Sequence, residues 1–582
     1  MCCSVIKPRP SNEGPADLLA EARAPRFRAE LTDVLLRLCA IDTTAQADVL
    51  LMRDREAQAF AVIRQALVDS AGRLAGRFMT PAIDARIAQH SFYSQPAYTI
   101  TSNRPQPLSA ADTYRGRTNL YFLADGAGCQ PAGLALNAHI DVVHPFLPPR
   151  VEGDVVFGRG ACDDKGPLVG MIGAINLVAR HLQRTGRRLA RPLTAMFVIE
   201  EEMGGNGSLS AACDADLRRR YDAIGVLECT SGQIHPGNRG AVWYKIEASL
   251  PGLNATEAAA FIVGHLERAG RAIKAESRHD LFPHRPVQTC HGILGPFGQH
   301  PSRICGQVEF EISLQPAGDV DRPEAQALIE DVLASGLAAY TGLYGDKTKV
   351  LDATTGKPKV ARHYDLARTG SGWRVSVWGA TGHMGSILEN DGAITKTAAL
   401  IRALVLSRAA LERVTGGAMM VRLAGWPEDD RLSMEGGQGF LPTHAMSEVQ
   451  ERLTQAARQG LGEYLYLIGR PVGDAAPLHI SFDKLHNAAF AGPRDSLAMR
   501  DALAAAHAAR LTVPDASHIR GWDVSCDARI FACEYPDLTV LTMGPGHLRY
   551  AHADDEQLNL PELVQFVEFL ARFILLRCGV AA

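Results

Sequence analysis

Apolar positions along the chain follow two spacings. Residues 27–39 and 56–75 carry them every three or four positions, which predicts two helices. A polar, irregular stretch follows, through residue 114. Residues 119–123 and 133–141 are short, nearly continuous apolar runs near Gly and Pro, the pattern of buried strands. Residues 165–182 return to helical spacing, and 193–199 and 223–227 read as further buried strands. Strand alternating with helix predicts an α/β layer with a mostly parallel sheet. Between residues 233 and 496 the pattern changes. An alternating run at 241–250 and a helix at 256–272 are followed by a run at 307–314 and a helix at 323–340. The order repeats at 373–378, 394–410, 419–423 and 447–461, and a strand at 478–482 closes it. This predicts an α+β insertion of two tandem β-α-β-α units, about 233–350 and 370–496, each like a split βαβ layer. Helices at 501–510 and 561–577 and a strand at 538–543 resume the α/β layer. One α/β domain, 27–232 with 497–582, is therefore expected to be interrupted by the insertion, with residues 1–26 as a flexible tail.

Charge narrows the function classes. Lys plus Arg is 60 against 64 for Asp plus Glu, a formal charge of −4, which disfavours a polycationic nucleic-acid binder. The most apolar stretch, 566–580, is broken by Glu568, Arg572 and Arg577, so no membrane span is expected. No secretory signal pattern is visible. Twelve cysteines at irregular spacing, with no C-x-x-C pair, read as reduced thiols of a cytoplasmic protein.

Polar residues collect where the apolar runs end. His139-Ile140-Asp141 closes a strand, and positions two apart on a strand share a face. A metal-binding His with its orienting carboxylate fits this spacing, and so does an ordinary strand-end loop. Residues 158–166, Gly-Arg-Gly-Ala-Cys-Asp-Asp-Lys-Gly, lead into a helix. Asp163 and Asp164 there repel one another unless a cation neutralises them; a capped helix start is the other reading. Glu200, Glu201 and Glu202 follow one strand, Glu228 follows another, and His552 lies beyond a third. Open α/β sheets hold ligands beyond the carboxyl ends of their strands. Mixed His and carboxylate donors suit Zn²⁺, and a shared carboxylate suits two ions about 3.5–4 Å apart.

The set His139-x-Asp141, Gly158-Arg159-Gly160-x-x-Asp163-Asp164-Lys165-Gly166, Glu201-Glu202-x-Gly204, Glu228 and Ala551-His552-x-x-x-Glu556 resembles one family. It is that of the co-catalytic zinc hydrolases: aminoacylase, glutamate carboxypeptidase, succinyl-diaminopimelate desuccinylase and the large-lid dipeptidases. The resemblance runs from about residue 27 to the C-terminus. It implies a zinc-exopeptidase-like catalytic domain interrupted by a lid. It implies two divalent ions, Zn²⁺ with Mn²⁺ or Co²⁺ as alternatives. His139 and Glu228 would hold one ion, Glu202 and His552 the other, and Asp163 would bridge them. Asp141 would orient His139, Glu201 would be the general base, and a cis peptide is expected after Asp163. Relatives often carry Asp before their Glu pair, where this chain has Glu200.

Thr381-Gly382-His383-Met384-Gly385-Ser386 resembles the family's Gly-x-x-His-x-Ser stretch, with the Ser one position late. His383 is then a donor to the oxyanion, or a loop His without a role. Ser525-Cys526-Asp527-Ala528-Arg529 resembles Ser-Asp-Gly-Arg, with Cys526 added and Ala528 for Gly. Arg529 is then a clamp for a substrate carboxylate, or a partner of Asp527 or Asp523. The expected activity is hydrolysis of an amide or peptide bond next to a free carboxylate, in a dipeptidase or exopeptidase. An N-acyl-amino-acid deacylase is the alternative. A non-catalytic binding protein and a metallophosphatase are the rivals from other classes; no phosphate cradle lies beside the ligands. The expected substrate is a small peptide or N-acyl amino acid, and the expected state a monomer, with a dimer as the alternative.

Overall fold

Apolar runs that the sequence marks as buried strands pair into one central sheet. A computed structural model describes residues 16–128, 132–315, 322–351, 356–384, 391–426, 430–471, 478–484 and 486–581. Internal contacts divide the chain into two units, residues up to Asn238 with those from Phe490, and Arg239–Ala489. These limits fall inside the expected 233 and 496, because Ile234–His235 pairs with Thr539–Met543, and Gly237–Asn238 with Phe490–Ala491, in the first unit.

The first unit's seven-stranded sheet has four parallel strands at its centre: Leu193–Val198, Gly133–His139, Tyr221–Leu227 and Thr539–Met543. Antiparallel strands flank them: Gly76–Met79 and Leu120–Ala124 at one edge, Ile234–His235 at the other. Every residue of Gly133–His139 and Leu193–Val198 is buried, which explains runs without polar alternation. Helices Lys165–Thr185 and Leu560–Cys578 pack on each other and over Gly133–His139. Leu563, Phe566, Val567, Phe569, Leu570, Phe573 and Ile574 of the last helix are buried, at about 1.5–3 kcal/mol of transfer energy each. This rigid layer fixes the strand ends from which the site is built.

The second unit corrects the expected tandem repeat. One antiparallel sheet holds Gly240–Ser249 and Thr289–Leu294 beside Arg431–Phe440 and His479–Ser481. The other holds Gln307–Gln315 beside Tyr364–Thr369, Gly372–Trp378 and Ala418–Leu423. Helices Ala255–Glu276 and Met446–Leu467 pack together on the first, and Pro323–Tyr344 with Ala393–Leu406 go with the second. The second layer is thus nested inside the first, not placed after it. The long strand Arg431–Phe440 escapes the sequence pattern because Gly436, Gly437 and Gly439 break its alternation. A Cβ at Gly436 would lie 2.2 Å from the Tyr244 hydroxyl, so the close crossing of strands requires glycine there. The single helix expected at 394–410 is two, Ala393–Leu406 and Arg408–Thr415.

Candidate metal centre

His139 is the last residue of its strand, and its N–H donates to Asp164 Oδ2 at 3.1 Å. Nδ1 lies 3.0 Å from the Asp141 carbonyl oxygen. A carbonyl only accepts, so Nδ1 carries a proton and Nε2 is the atom left to offer a lone pair. Buried Nε2 has no hydrogen-bond partner among the described residues. It stands 3.2 Å from Asp163 Oδ1, while the other oxygen, Oδ2, stands 3.3 Å from His552 Nε2. Asp163 therefore turns one oxygen to each imidazole. His552 Nε2 is also 3.0 Å from Glu202 Oε1. His139, Asp163 and Glu202 form one group with donor atoms within 4.8 Å of one another; His139, Glu201 and Glu228 form a second.

Loop contacts hold these donors in place. Asp141 meets His139 Nδ1 through its backbone carbonyl, while its carboxylate is 3.5 Å away. The two carboxylate oxygens accept the backbone N–H groups of Glu201 and Glu202, at 3.1 and 3.0 Å. The Asp163–Asp164 peptide bond is cis. Asp164 occupies the N-cap position of helix Lys165–Thr185 without capping it, its side chain being given to His139. Glu556 Oε1 accepts from the N–H groups of Gly160, Cys162 and Asp163, and Oε2 from Arg159, which pins the loop bearing Asp163. Cys229, with no role in the sequence reading, brings its thiol into a third group with Asp163 and Glu228.

Arg529, the expected carboxylate clamp, is held by the protein itself. It is 2% exposed, in the helix Ala528–Glu534, and its Nη2 donates to the Gly204 carbonyl at 2.8 Å. Its guanidinium thus ties down the end of the glutamate turn. His383 belongs to the second unit, on the short strand Gly382–His383 paired with Arg303–Ile304. Ser386 lies outside the described residues.

The charges call for a cation. Burial raises the Glu201 pKa well above its ordinary value, and Asp527 adds to it. Burial, then Asp163 and Glu201, does the same to Glu228. Burial opposes ionisation of Asp163, but the nearby His139 and His552 imidazoles outweigh it and hold the carboxyl well below the usual range. Burial also disfavours the imidazolium of His139, yet Asp141 and Asp163 raise its pKa well above the ordinary value. Two imidazoles are shared among more carboxylates than they can neutralise, and divalent ions fit this donor set. A fourth group, Glu276, His444 and Glu448, lies in the second unit, where Arg452 already pairs with both glutamates.

Residues 135–576 match the Peptidase family M20/M25/M40. The chain belongs to this family. Over 115 residues it is 31% identical to a peptidase M20 domain-containing protein of Schizosaccharomyces pombe, covering 20% of this chain and 27% of that one. Over 109 residues it is 43% identical to a LysW-lysine/LysW-ornithine hydrolase of Sulfurisphaera tokodaii, covering 19% and 27%. Over 154 residues it is 29% identical to a probable carboxypeptidase of Aspergillus terreus, covering 25% and 34%. The chain thus spans about a quarter to a third of the length of these curated relatives. Among solved structures, human carnosine dipeptidase 1 superposes with a TM-score of 0.51 at 14% identity, over 95% of this chain and 97% of that one. The di-peptidase Dug1p of Saccharomyces cerevisiae gives 0.52 at 13% identity, over 98% and 99%. At such identities the likeness is one of fold.

Proposed function

We propose that this member of the peptidase family is a two-metal hydrolase that cleaves an amide or peptide bond next to a free carboxylate, as a dipeptidase or related exopeptidase. The observation that carries this is Asp163, set with one carboxylate oxygen toward His139 and the other toward His552. His139 and Glu228 would hold one ion, Glu202 and His552 the other, with Asp163 between them. Bound ions, Zn²⁺ or else Mn²⁺ or Co²⁺, supply Lewis acidity and bring water toward ionisation near neutral pH. Glu201 takes a proton from the attacking water and passes it to the leaving amine; its burial favours proton affinity. Asp141 holds the Glu201–Glu202 peptide groups through two hydrogen bonds. His383 is assigned as donor to the developing oxyanion on its sequence resemblance. We place the enzyme as a cytoplasmic monomer; the nine described cysteines are all free, which supports a reducing compartment.

A panel of dipeptides, N-acyl amino acids and a phosphate ester, each assayed with Zn²⁺, Mn²⁺ and Co²⁺, tests the reading. Dipeptide hydrolysis that stops on chelation and returns with the ion is the expected result. Turnover of the phosphate ester alone would overturn it.

A further inference from the structure

Strand Leu193–Val198 runs into a turn where three glutamates follow one another, and the turn sends them to two places. Glu201 and Glu202 face the donor cluster. Glu200 turns away from it with φ 65, in the left-handed region that glutamate rarely adopts. Its carboxylate is buried and fully partnered. Oε1 accepts from the Tyr98 hydroxyl and from Arg117 Nη1 at 2.5 Å. Oε2 accepts from the Tyr114 hydroxyl at 2.7 Å and from Asn206 Nδ2 at 3.3 Å. Arg117 is 1% exposed and forks onto a second carboxylate: Nε and Nη2 donate to the two oxygens of Glu56 at 3.1 and 2.5 Å. One small cavity is lined both by Glu56, Arg117 and Glu200 of this network and by Asp141 and Glu202 of the site.

We propose that Arg117 and Glu200 are positioning residues, and that the buried Glu56–Arg117–Glu200 ion network holds the glutamate turn so that Glu201 and Glu202 reach their places. The proposal rests on the two-metal reading of the site and adds to it residues that bind neither ion nor substrate. The backbone supports it. The Glu200 and Glu201 carbonyls accept from Gly205 and Gly204 at 2.7 and 2.9 Å, closing the turn, and Asp141 takes the next two N–H groups. With the Glu200 side chain released, only the backbone hydrogen bonds of the turn are left to hold its φ against a return to the negative values that glutamate prefers. That rotation would swing the two following side chains together. A buried ion network stabilises little compared with packed apolar groups, so its use here fits a need for one defined geometry. Tyr98 and Tyr114 donate their hydroxyls to Glu200, which adds direction to the charge pairing.

The test uses the full chain in three variants: Arg117→Lys, Glu200→Gln, and Glu200→Gly, whose glycine accepts the left-handed φ without the tether. Circular dichroism selects the variants that fold. Co²⁺ titration, followed by its visible absorption, gives ion affinity, and steady-state kinetics with a dipeptide separate kcat from KM. In Arg117→Lys and Glu200→Gln, kcat and the affinity for one of the two ions should each fall roughly tenfold or more, with KM little changed. Glu200→Gly should fold and show the same loss, which a purely stabilising network would not produce. Folded variants with wild-type kcat and wild-type Co²⁺ affinity would overturn the proposal. If the wild-type chain binds Co²⁺ but cleaves no dipeptide, the functional reading fails. The Co²⁺ affinities of the variants then decide the positioning proposal by themselves.

Discussion

Glu201 and Glu202 are adjacent and chemically identical, so their surroundings alone can divide their work. Glu202 Oε1 meets His552 Nε2 at 3.0 Å, whereas Glu201 is raised in pKa by burial and by Asp527. Glu201→Gln should therefore retain both ions and lose at least about 10²-fold in kcat, the low end for general acid–base catalysis. Glu202→Gln should lose one ion, since an amide is a poor ligand. Elemental analysis beside kinetics reads both, and the reverse pattern would shift the pair by one residue. The triplet itself is visible in the sequence. Glu200's departure from it is not, because Arg117, Tyr98 and Tyr114 lie more than 80 positions away in the chain.

Helices and strands deliver the donors. Helix Lys165–Thr185 begins just past Asp163 and ends at Gly186, whose φ is 63. A Cβ added at Gly186 would meet nothing within 4 Å, so alanine there probes the backbone alone. Gly186→Ala should cost about 1 kcal/mol, the penalty of a Cβ in the left-handed region, read as a lower urea midpoint with kcat unchanged. Most elements follow directly from apolar spacing. Gly133–His139, Leu193–Val198 and Leu560–Cys578 lie within two residues of their sequence-based limits. Elements without such spacing are not legible, as with Arg431–Phe440, where glycines replace side chains, and Ala528–Glu534, which is a helix of seven residues.

At the scale of the molecule, two buried cores differ in how their strands are recruited. The first unit draws its sheet from both ends of the chain, and the second nests one layer inside another. Both cores enclose thiols. Burial pushes Cys39 and Cys578 of the first unit up to about 12, so at pH 8 they remain protonated and unreactive. Among the described cysteines Cys213 is exposed and Cys533 half-buried. Of these described cysteines, alkylation of the native protein followed by peptide mapping should label Cys213 first and Cys533 more slowly. Cys39 and Cys578 should label only after denaturant. Labelling of Cys39 in the native state would contradict the packing of the helix Pro25–Cys39. No helix among the described residues is long and apolar enough to cross a membrane.

What the sequence determined by itself is what short-range chemistry controls. Apolar periodicity decides helix or strand, and polar residues at the ends of buried runs mark where a sheet can hold ligands, so His139-x-Asp141, Asp163-Asp164, the Glu200–Glu202 triplet, Glu228 and His552 stand out, and the family resemblance implies which of them are ligands. Only the tertiary structure decided the partners of each group. Strand pairing between residues some 190 positions apart made the second unit nested instead of tandem. Burial withdrew Arg529 from solvent and gave its guanidinium to the Gly204 carbonyl. A distant arginine drew Glu200 away from its two neighbours. The physical reason is common to all three. Hydrogen bonds and ion pairs act over a few ångströms in space, and their partners are chosen by packing, which leaves no periodic trace along the chain.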